Sequence, residues 1–270
     1  MKIGTRQLRT PNLPAPQLPH PQGRAWKVFK LIFPLLVIAA GIYIFYNFPA
    51  LWDRLKFAID KPTPGNTARF PNTTRAGAGG PGAIPVGGPE CGTKPIGYND
   101  DGSPRRICDD YVYLPRIRVA APIVFTKSTN PADIDADLLK GVVHYPGTAE
   151  PGQQGNVFLT GHSSFYWWVE SDYKNVFSLV PQLREGDEAV IYRKGIRYSY
   201  RVYGSEEVTP TDTRVLSATA QPELTLSTCV PIGTSYRRRI IHSRQVSPDP
   251  ALAAPADTSQ PAATRLPGVR

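Results

Sequence analysis

The sequence predicts a mainly β domain preceded by one membrane-spanning helix, and three observations support that prediction. A run without any charged residue covers positions 31–52. Short apolar stretches separated by turn residues recur between positions 111 and 246, a pattern that is typical of a barrel or a sandwich. The 29 prolines and 23 glycines are concentrated in separate segments, so the ordered core is shorter than the 270-residue chain.

The first two segments are a basic leader, residues 1–30, and a transmembrane anchor, residues 31–52. The leader carries lysines and arginines but no acidic residue, which predicts a cytoplasmic N-terminus and places the rest of the chain outside the cell. About 20 apolar residues are enough to cross a bilayer. A cleaved signal peptide is the alternative, but it needs a shorter apolar region and a small-residue cleavage site, which this run lacks. Because the leader accounts for much of the net charge of +9, nucleic acid is not an expected partner.

A linker and a small hairpin follow the anchor. Residues 61–90 are rich in proline and glycine, which predicts a flexible tether without a core of its own. Residues 91–110 predict a hairpin, because Asp101-Gly102 is a strong turn pair. Cys91 and Cys108 flank that turn, and outside the cell they form either a disulfide or two unrelated thiols.

The main domain is expected to span residues 111–246. Lys194-Gly195 separates two apolar stretches and predicts a hairpin. Asn130 precedes a helical pattern over 131–140 and is its candidate N-cap. Residues 247–270 are rich in proline and alanine, so we expect a disordered tail.

Three groups with reactive or cationic side chains stand out in this domain. Cys229 ends an apolar strand-like run, and a third cysteine in an exported protein is a candidate reactive thiol. His162 follows another apolar run, and the arginines 237–239 follow the cysteine. Each also has a structural explanation, because a lone cysteine is often a buried apolar residue and a loop histidine or arginine cluster is often solvated.

Several motifs in one order give the domain a family resemblance. The run Thr225-Leu226-Ser227-Thr228-Cys229 resembles the Thr-Leu-x-Thr-Cys signature of sortases, which are cell-surface cysteine transpeptidases. The run from Gly155 to Ser163 resembles their histidine motif. Further similar segments are Ala121–Val124, Leu139–Thr148 and Phe177–Asp187. The resemblance covers about residues 111–246.

This resemblance implies a sortase-like mixed β-barrel with short helices and assigns roles to its residues. Cys229 would be the nucleophile, His162 the acid/base, and one arginine on the following strand would bind substrate or oxyanion. We favour Arg239 and keep Arg238 as the alternative register, because adjacent strand residues point to opposite faces. No cofactor or metal is implied.

The resemblance also implies the partners and leaves alternatives. A Leu-Pro-x-Thr-Gly-type sorting signal of a surface protein would be cleaved after threonine and joined to a cell-wall or pilin amine. Thr228 inside the signature, with Tyr166 and Trp167 just after the histidine, are candidate substrate-binding residues. The two aromatic residues could equally be core or a partner surface. A hydrolytic cysteine protease, or a catalytically inactive binding module on the same barrel, remain alternative functions.

Overall fold

The computed structural model of the chain describes residues 24–59, 91, 96–98, 104–256 and 266–267. Most of the predicted basic leader, the predicted linker 61–90 and the turn at 99–103 lie outside the described residues. Contacts divide the chain into two units, residues 1–42 and 43–270.

Helix α1 runs from Arg24 to Ile59 and is longer than the predicted anchor. Its 36 residues correspond to about 54 Å at 1.5 Å per residue. It is long and apolar enough to cross a membrane, a test that a signal sequence also passes. Two residues of its second half, Asn47 and Ala50, are buried in the unit that contains the strands. The predicted anchor 31–52 therefore includes a part that packs against protein.

Eight strands close into a barrel, as the resemblance to sortases implies. The strands are β1 (Tyr111–Leu114), β2 (Val119–Phe125), β3 (Val142–His144), β4 (Asn156–Thr160), β5 (Glu188–Arg193), β6 (Ile196–Val208), β7 (Glu223–Val230) and β8 (Arg237–Ser247). Their order around the barrel is β1-β2-β3-β4-β7-β8-β6-β5, and β5 pairs with β1. The β2–β3 and β4–β7 pairs are parallel and the others antiparallel, so the barrel is mixed.

Two local predictions in this domain are confirmed. Lys194 and Gly195, with φ of 52° and 73°, form the turn between β5 and β6, because a two-residue hairpin of this type needs positive φ at both positions. Helix α2 covers Pro131–Leu138, and the side chain of its N-cap Asn130 accepts a hydrogen bond from the backbone N–H of Ala132. The short helices besides α2 are 3₁₀ turns at Pro115–Ile117, Val180–Gln182, Thr213–Leu216 and Pro250–Leu252.

The two faces of the sheet carry separate apolar clusters. One cluster receives residues from all eight strands, among them Leu159, Leu226 and Ile241, and it fills the barrel. On the outer face, one cluster contains Phe158 and Ile240 and packs against α2, and another contains Tyr113 and Tyr192. Because side chains alternate along a strand, Cys229 and Arg238 have the parity of the outer face.

The predicted hairpin at 91–110 is attached to the barrel in its described part. Cys91 and Cys108 are joined in a disulfide, with their Cα atoms 5.7 Å apart. Tyr98 pairs with Pro104 in an isolated bridge and its hydroxyl donates to the carbonyl of Val119 at 2.6 Å. These contacts hold the hairpin close to β2.

The distal segment differs from the expected disordered tail 247–270. The backbone of Ala254 donates to Gly152 at 2.9 Å and accepts from Gln154 at 2.7 Å. Leu266 is only 2% exposed. The described parts of this segment, 247–256 and 266–267, therefore pack on the barrel, and its other residues lie outside the described ones.

Candidate active site

The histidine and the cysteine follow two neighbouring parallel strands. In the register of β4 and β7, Thr160 lies opposite Ser227. The backbone N–H of Gly161 donates to the carbonyl of Ser227 at 3.2 Å, which continues the pairing past the end of β4. His162 and Cys229 each lie two residues beyond the Thr160–Ser227 pair. The topology therefore brings them to the same level at one end of the barrel.

The antiparallel pair β7–β8 decides which arginine accompanies the cysteine. Cys229 lies opposite Arg238, and Thr228 lies opposite Arg239. Directly opposite residues of an antiparallel pair project to the same face of the sheet. Arg238 therefore shares the face of Cys229, whereas Arg239 lies on the other face and is ion-paired with Glu207. This register favours Arg238, the reverse of the preference drawn from sequence.

The guanidinium of Arg238 is buried and surrounded by backbone carbonyls. The side chain is 3% exposed. Its Nε donates to the carbonyl of Pro267 at 2.9 Å, and its Nη1 donates to those of Ser235 at 3.0 Å and Arg237 at 3.2 Å. Because arginine donates in a planar fork and stays cationic, this group is suited to bind peptide carbonyls.

His162 is buried and its imidazole stacks on an aromatic ring. It is 1% exposed, and its ring centroid lies 4.7 Å from that of Phe165. Among the described residues, neither ring nitrogen has a hydrogen-bond partner. Burial lowers the pKa of His162 to about 4, so the imidazole is neutral at pH 7. A neutral imidazole with available nitrogens can accept a proton from a thiol or from a bound peptide.

The thiol of Cys229 faces a cavity of about 390 Å³. Cys229 is 5% exposed and takes no part in the Cys91–Cys108 disulfide. Aromatic side chains form much of the cavity wall, including those of Phe165, Tyr166 and Trp168 from the loop after His162. The remaining lining comes from Tyr46, Asn47, Ser163, Ser164, Gly233 and Thr234.

The second half of α1 supplies one side of this cavity, which sequence reasoning missed. The hydroxyl of Tyr43 donates to the carbonyl of Ile232 at 2.9 Å, in the loop that follows Cys229. The Asn47 amide packs directly on Gly233, leaving no room for a Cβ there. The Gly233 N–H donates to the Ser164 hydroxyl at 2.9 Å, so helix, histidine loop and cysteine loop are joined.

The signal that could have revealed this contact is Asn47 itself. It is an amide within the apolar run 31–52. Amides are unfavourable in hydrocarbon unless they are hydrogen-bonded, so such a residue indicates a protein contact. Asn47 is 7% exposed and donates to the carbonyl of Tyr43 at 3.0 Å.

The candidate substrate-binding residues have three different locations. Tyr166 lines the cavity. Trp167 is half exposed and its ring makes an edge contact with Phe45, 6.0 Å between centroids. Thr228 is buried, and its hydroxyl donates to the carbonyl of Gly161 at 3.2 Å, where it couples β7 to the histidine segment.

The remaining histidines of the domain lie in other surroundings. His144 is buried and its Nε2 bonds the carbonyl of Ala149 at 2.8 Å, which is a structural contact. His242 is paired with Glu206 at 3.0 Å. No group of three or more metal-ligating side chains occurs within the described part of the chain.

The family model for the sortase domain matches residues 112–246, half of the chain. The chain belongs to the sortase family. This match covers all of β2 to β7, nearly all of β1 and β8, and both His162 and Cys229. The prediction of the family and of its mixed barrel is confirmed.

Individual relatives are similar at moderate identity. Sortase D of Bacillus subtilis (strain 168) is 28% identical over 138 residues, which are 50% of this chain and 62% of that protein. Sortase A of Bacillus anthracis is 28% identical over 130 residues, 48% of this chain and 56% of that protein. The chain thus spans about 60% of the length of these two relatives.

Solved sortase structures match about half of the chain. Sortase A from Corynebacterium diphtheriae is 26% identical with a TM-score of 0.44, covering 52% of this chain and 61% of that one. Sortase C-1 from Actinomyces oris is 26% identical with a TM-score of 0.42, covering 50% of this chain and 72% of that one.

Proposed function

We propose that this protein is a membrane-anchored extracellular sortase that transfers peptide acyl groups through Cys229. The observation that carries the proposal is the strand register, which brings Cys229 level with His162 and opposite Arg238. The donor is a surface protein with a Leu-Pro-x-Thr-Gly-type sorting signal, and the acceptor is an amine of the cell wall or of a pilin. This substrate class is taken from the family and not from a contact in the site.

Covalent catalysis assigns separate tasks to the cysteine and the histidine. The thiolate of Cys229 attacks the threonine carbonyl and forms a thioester as the amide C–N bond breaks. His162, neutral at rest, takes the thiol proton and returns it to the leaving amine. The incoming amine then attacks the thioester, loses its proton to the same imidazole and releases the cysteine.

Arg238 provides a fixed positive charge beside the reacting carbonyl. Its face of the sheet is that of Cys229, and its Nε already holds a peptide carbonyl, that of Pro267. A buried cation stabilises a developing oxyanion more strongly than one in water, because the effective dielectric constant is low. Arg239 has the opposite parity, that of the face that fills the barrel, and is ion-paired with Glu207.

Helix α1 is the candidate membrane anchor. The part of the apolar run that precedes residue 43 would lie in the bilayer, with Lys27 and Lys30 at its cytoplasmic end. Lysines and arginines precede the apolar run and favour a cytoplasmic N-terminus and an extracellular domain. Residues 43–59 of the same helix belong to the catalytic unit.

The test is adduct formation by the full chain in detergent micelles or nanodiscs. A Leu-Pro-x-Thr-Gly peptide is added with or without triglycine or another amine, and intact mass spectrometry follows the protein. We expect an acyl adduct on Cys229 and a ligated product, both lost in Cys229→Ala. An adduct that only hydrolyses would favour a protease. A folded protein that forms no adduct with a series of sorting peptides would contradict the proposal.

A further inference from the structure

A Leu-Pro dipeptide from the chain's own distal segment lies on the catalytic face of the barrel. Leu266 is 2% exposed and its backbone N–H donates to the carbonyl of Pro210 at 3.3 Å. The carbonyl of Pro267 accepts from Nε of Arg238 at 2.9 Å. Both contacts are to the region where β6, β7 and β8 meet.

The leucine side chain fills an apolar pocket on the outer face of the sheet. It belongs to the cluster that contains Phe158 of β4 and Ile240 of β8. The same cluster also contains Val208 at the end of β6 and Val215 in the β6–β7 connection. Because Ile240 and Arg238 are two residues apart on one strand, pocket and guanidinium lie on the same face.

The carbonyl of Pro267 meets the arginine that faces the nucleophile. Arg238 lies directly opposite Cys229 in the β7–β8 register. A leucine in an apolar pocket, followed by a proline whose carbonyl binds that arginine, is the arrangement expected of a bound Leu-Pro peptide. The following residues are Gly268 and Val269, so the segment lacks the threonine-glycine bond of a sorting signal.

We propose that Leu266 and Pro267 are a tethered occupant of the donor-peptide site and compete with the leucine and proline of an incoming substrate. This inference rests on the proposed function for the identity of the competing peptide. The site takes an extended Leu-Pro segment, and the chain supplies one in cis. Substrate then binds only to the fraction of molecules in which the segment has left the pocket.

The tether sets the strength of this competition. A peptide tethered to its own site has an effective concentration on the order of millimolar, and the apparent affinity of a competitor falls by the fraction of sites that remain open. A tethered peptide of millimolar intrinsic affinity therefore weakens substrate binding by roughly two- to tenfold. The maximal rate with saturating peptide is unchanged, because saturation displaces the segment.

The decisive variant is Leu266→Asp in the full chain, with Leu252→Asp as the matched control. Leu252 lies in the same distal segment but is 80% exposed. Steady-state ligation of a fluorescent Leu-Pro-x-Thr-Gly peptide to triglycine gives KM and kcat. We expect Leu266→Asp to lower KM by roughly two- to tenfold with kcat unchanged, and Leu252→Asp to leave both unchanged. An unchanged or higher KM in a folded Leu266→Asp protein would overturn the proposal, because Leu266 would then be part of the structure or irrelevant.

A binding experiment tests the same competition in a protein that does not turn substrate over. Fluorescence anisotropy is measured in a Cys229→Ala background with a labelled peptide of this chain's own residues 262–268. We expect this peptide to bind the Leu266→Asp chain, to bind the chain with intact Leu266 more weakly, and to be displaced by the sorting peptide. Equal or absent binding to both chains would overturn the proposal.

The two experiments also separate this proposal from the proposed function. If no sorting peptide is turned over or bound, the proposed function fails while the own-segment peptide still reports on the pocket. If Leu266→Asp lowers the melting temperature substantially, Leu266→Ala is used in the same two measurements. That variant keeps an apolar residue but loses most of the side chain that fills the pocket.

Discussion

Two segments from outside the barrel strands reach the surroundings of Cys229, and they do so in different ways. On one side the second half of α1 forms a wall through Tyr43, Asn47 and their contacts to the cysteine loop, and a cavity of about 390 Å³ remains beside it. At Arg238, the dipeptide Leu266–Pro267 is held by the buried leucine side chain, by the leucine N–H and by the proline carbonyl. We expect the second half of α1 to remain in place when substrate binds, and the dipeptide Leu266–Pro267 to be displaced.

The difference follows from how each segment is held. The helix runs without a break over 36 residues, and its backbone presents several side chains at once, so their contacts share one entropy cost. The dipeptide belongs to a Pro/Ala-rich stretch, and its described contacts are those of the Leu266 side chain and N–H and of the Pro267 carbonyl. A competing peptide with the same two residues can replace it, whereas nothing of comparable shape can replace a helix face.

The largest expected effect is that of replacing Arg238, which lies opposite Cys229 and binds the carbonyl of Pro267. Arg238→Ala should reduce kcat/KM for ligation by roughly 10²–10³-fold, because a preorganised donor to the oxyanion is lost. Arg239→Ala, the matched neighbour, should lower it less than about threefold, since removing a partly exposed ion pair has little effect. The measurement is steady-state ligation at constant protein concentration. The opposite order of the two effects would restore the sequence preference for Arg239.

The next effect is the pH dependence of folding stability that arises from the buried His162. Its pKa of about 4 lies below the ~6.5 of an exposed histidine, so the unfolded chain binds more protons between these values. Folding stability is therefore full above about pH 6.5 and falls as the pH drops towards 4, by about 3 kcal/mol for this group.

Replacing His162 by glutamine should remove that part of the pH dependence. Urea unfolding in detergent micelles at pH 4 to 7, followed by tryptophan fluorescence, measures it in both proteins. Burial also lowers the pKa of His144, which contributes with the same sign and is present in both. Equal slopes in the two proteins would mean that His162 is solvated or hydrogen-bonded in solution.

The smallest expected effect tests whether the second half of α1 stays on the cysteine loop during turnover. Tyr43→Phe removes only the hydroxyl that donates to Ile232, which should destabilise the cysteine loop by about 1 kcal/mol. We expect kcat/KM to fall by a few-fold through kcat, because the loop positions Cys229. Phe48→Ala, at an exposed position of the same helix, is the control. A higher kcat/KM in Tyr43→Phe would show that the helix is a cover that substrate displaces, and it would remove the contrast with Leu266.

Local patterns and motif order predicted much of the barrel. The Lys194-Gly195 turn and the Asn130 cap depend on a few neighbouring residues, so their physics is visible in the sequence. Cys229 and His162 could be selected because each ends an apolar strand-like run within a longer motif. The choice between Arg238 and Arg239 could not be made, because a shift of one residue in register exchanges the two faces.

The partners of the two covering segments were not predictable, for a different reason. Asn47 indicates a protein contact on the helix, but Tyr43 and Ile232 are 189 positions apart, and no local pattern identifies that partner. The apolar run at 31–52 fits a bilayer and a protein surface equally well, so hydropathy alone assigned it to membrane. Likewise, Leu266 lies in a stretch whose composition indicates disorder, and only the pocket formed by distant strands explains its burial.

The contact between Asn47 and Gly233 has a consequence for inhibitor design. A fragment that begins after residue 60 lacks the asparagine, the Tyr43 hydroxyl and the Tyr46 side chain, so the wall that these residues form beside the cavity is missing. Compounds selected against such a fragment would be fitted to a site without this wall, which differs from that of the full chain. Selectivity over other cysteine enzymes is better sought in the aromatic and amide wall that the intact chain provides.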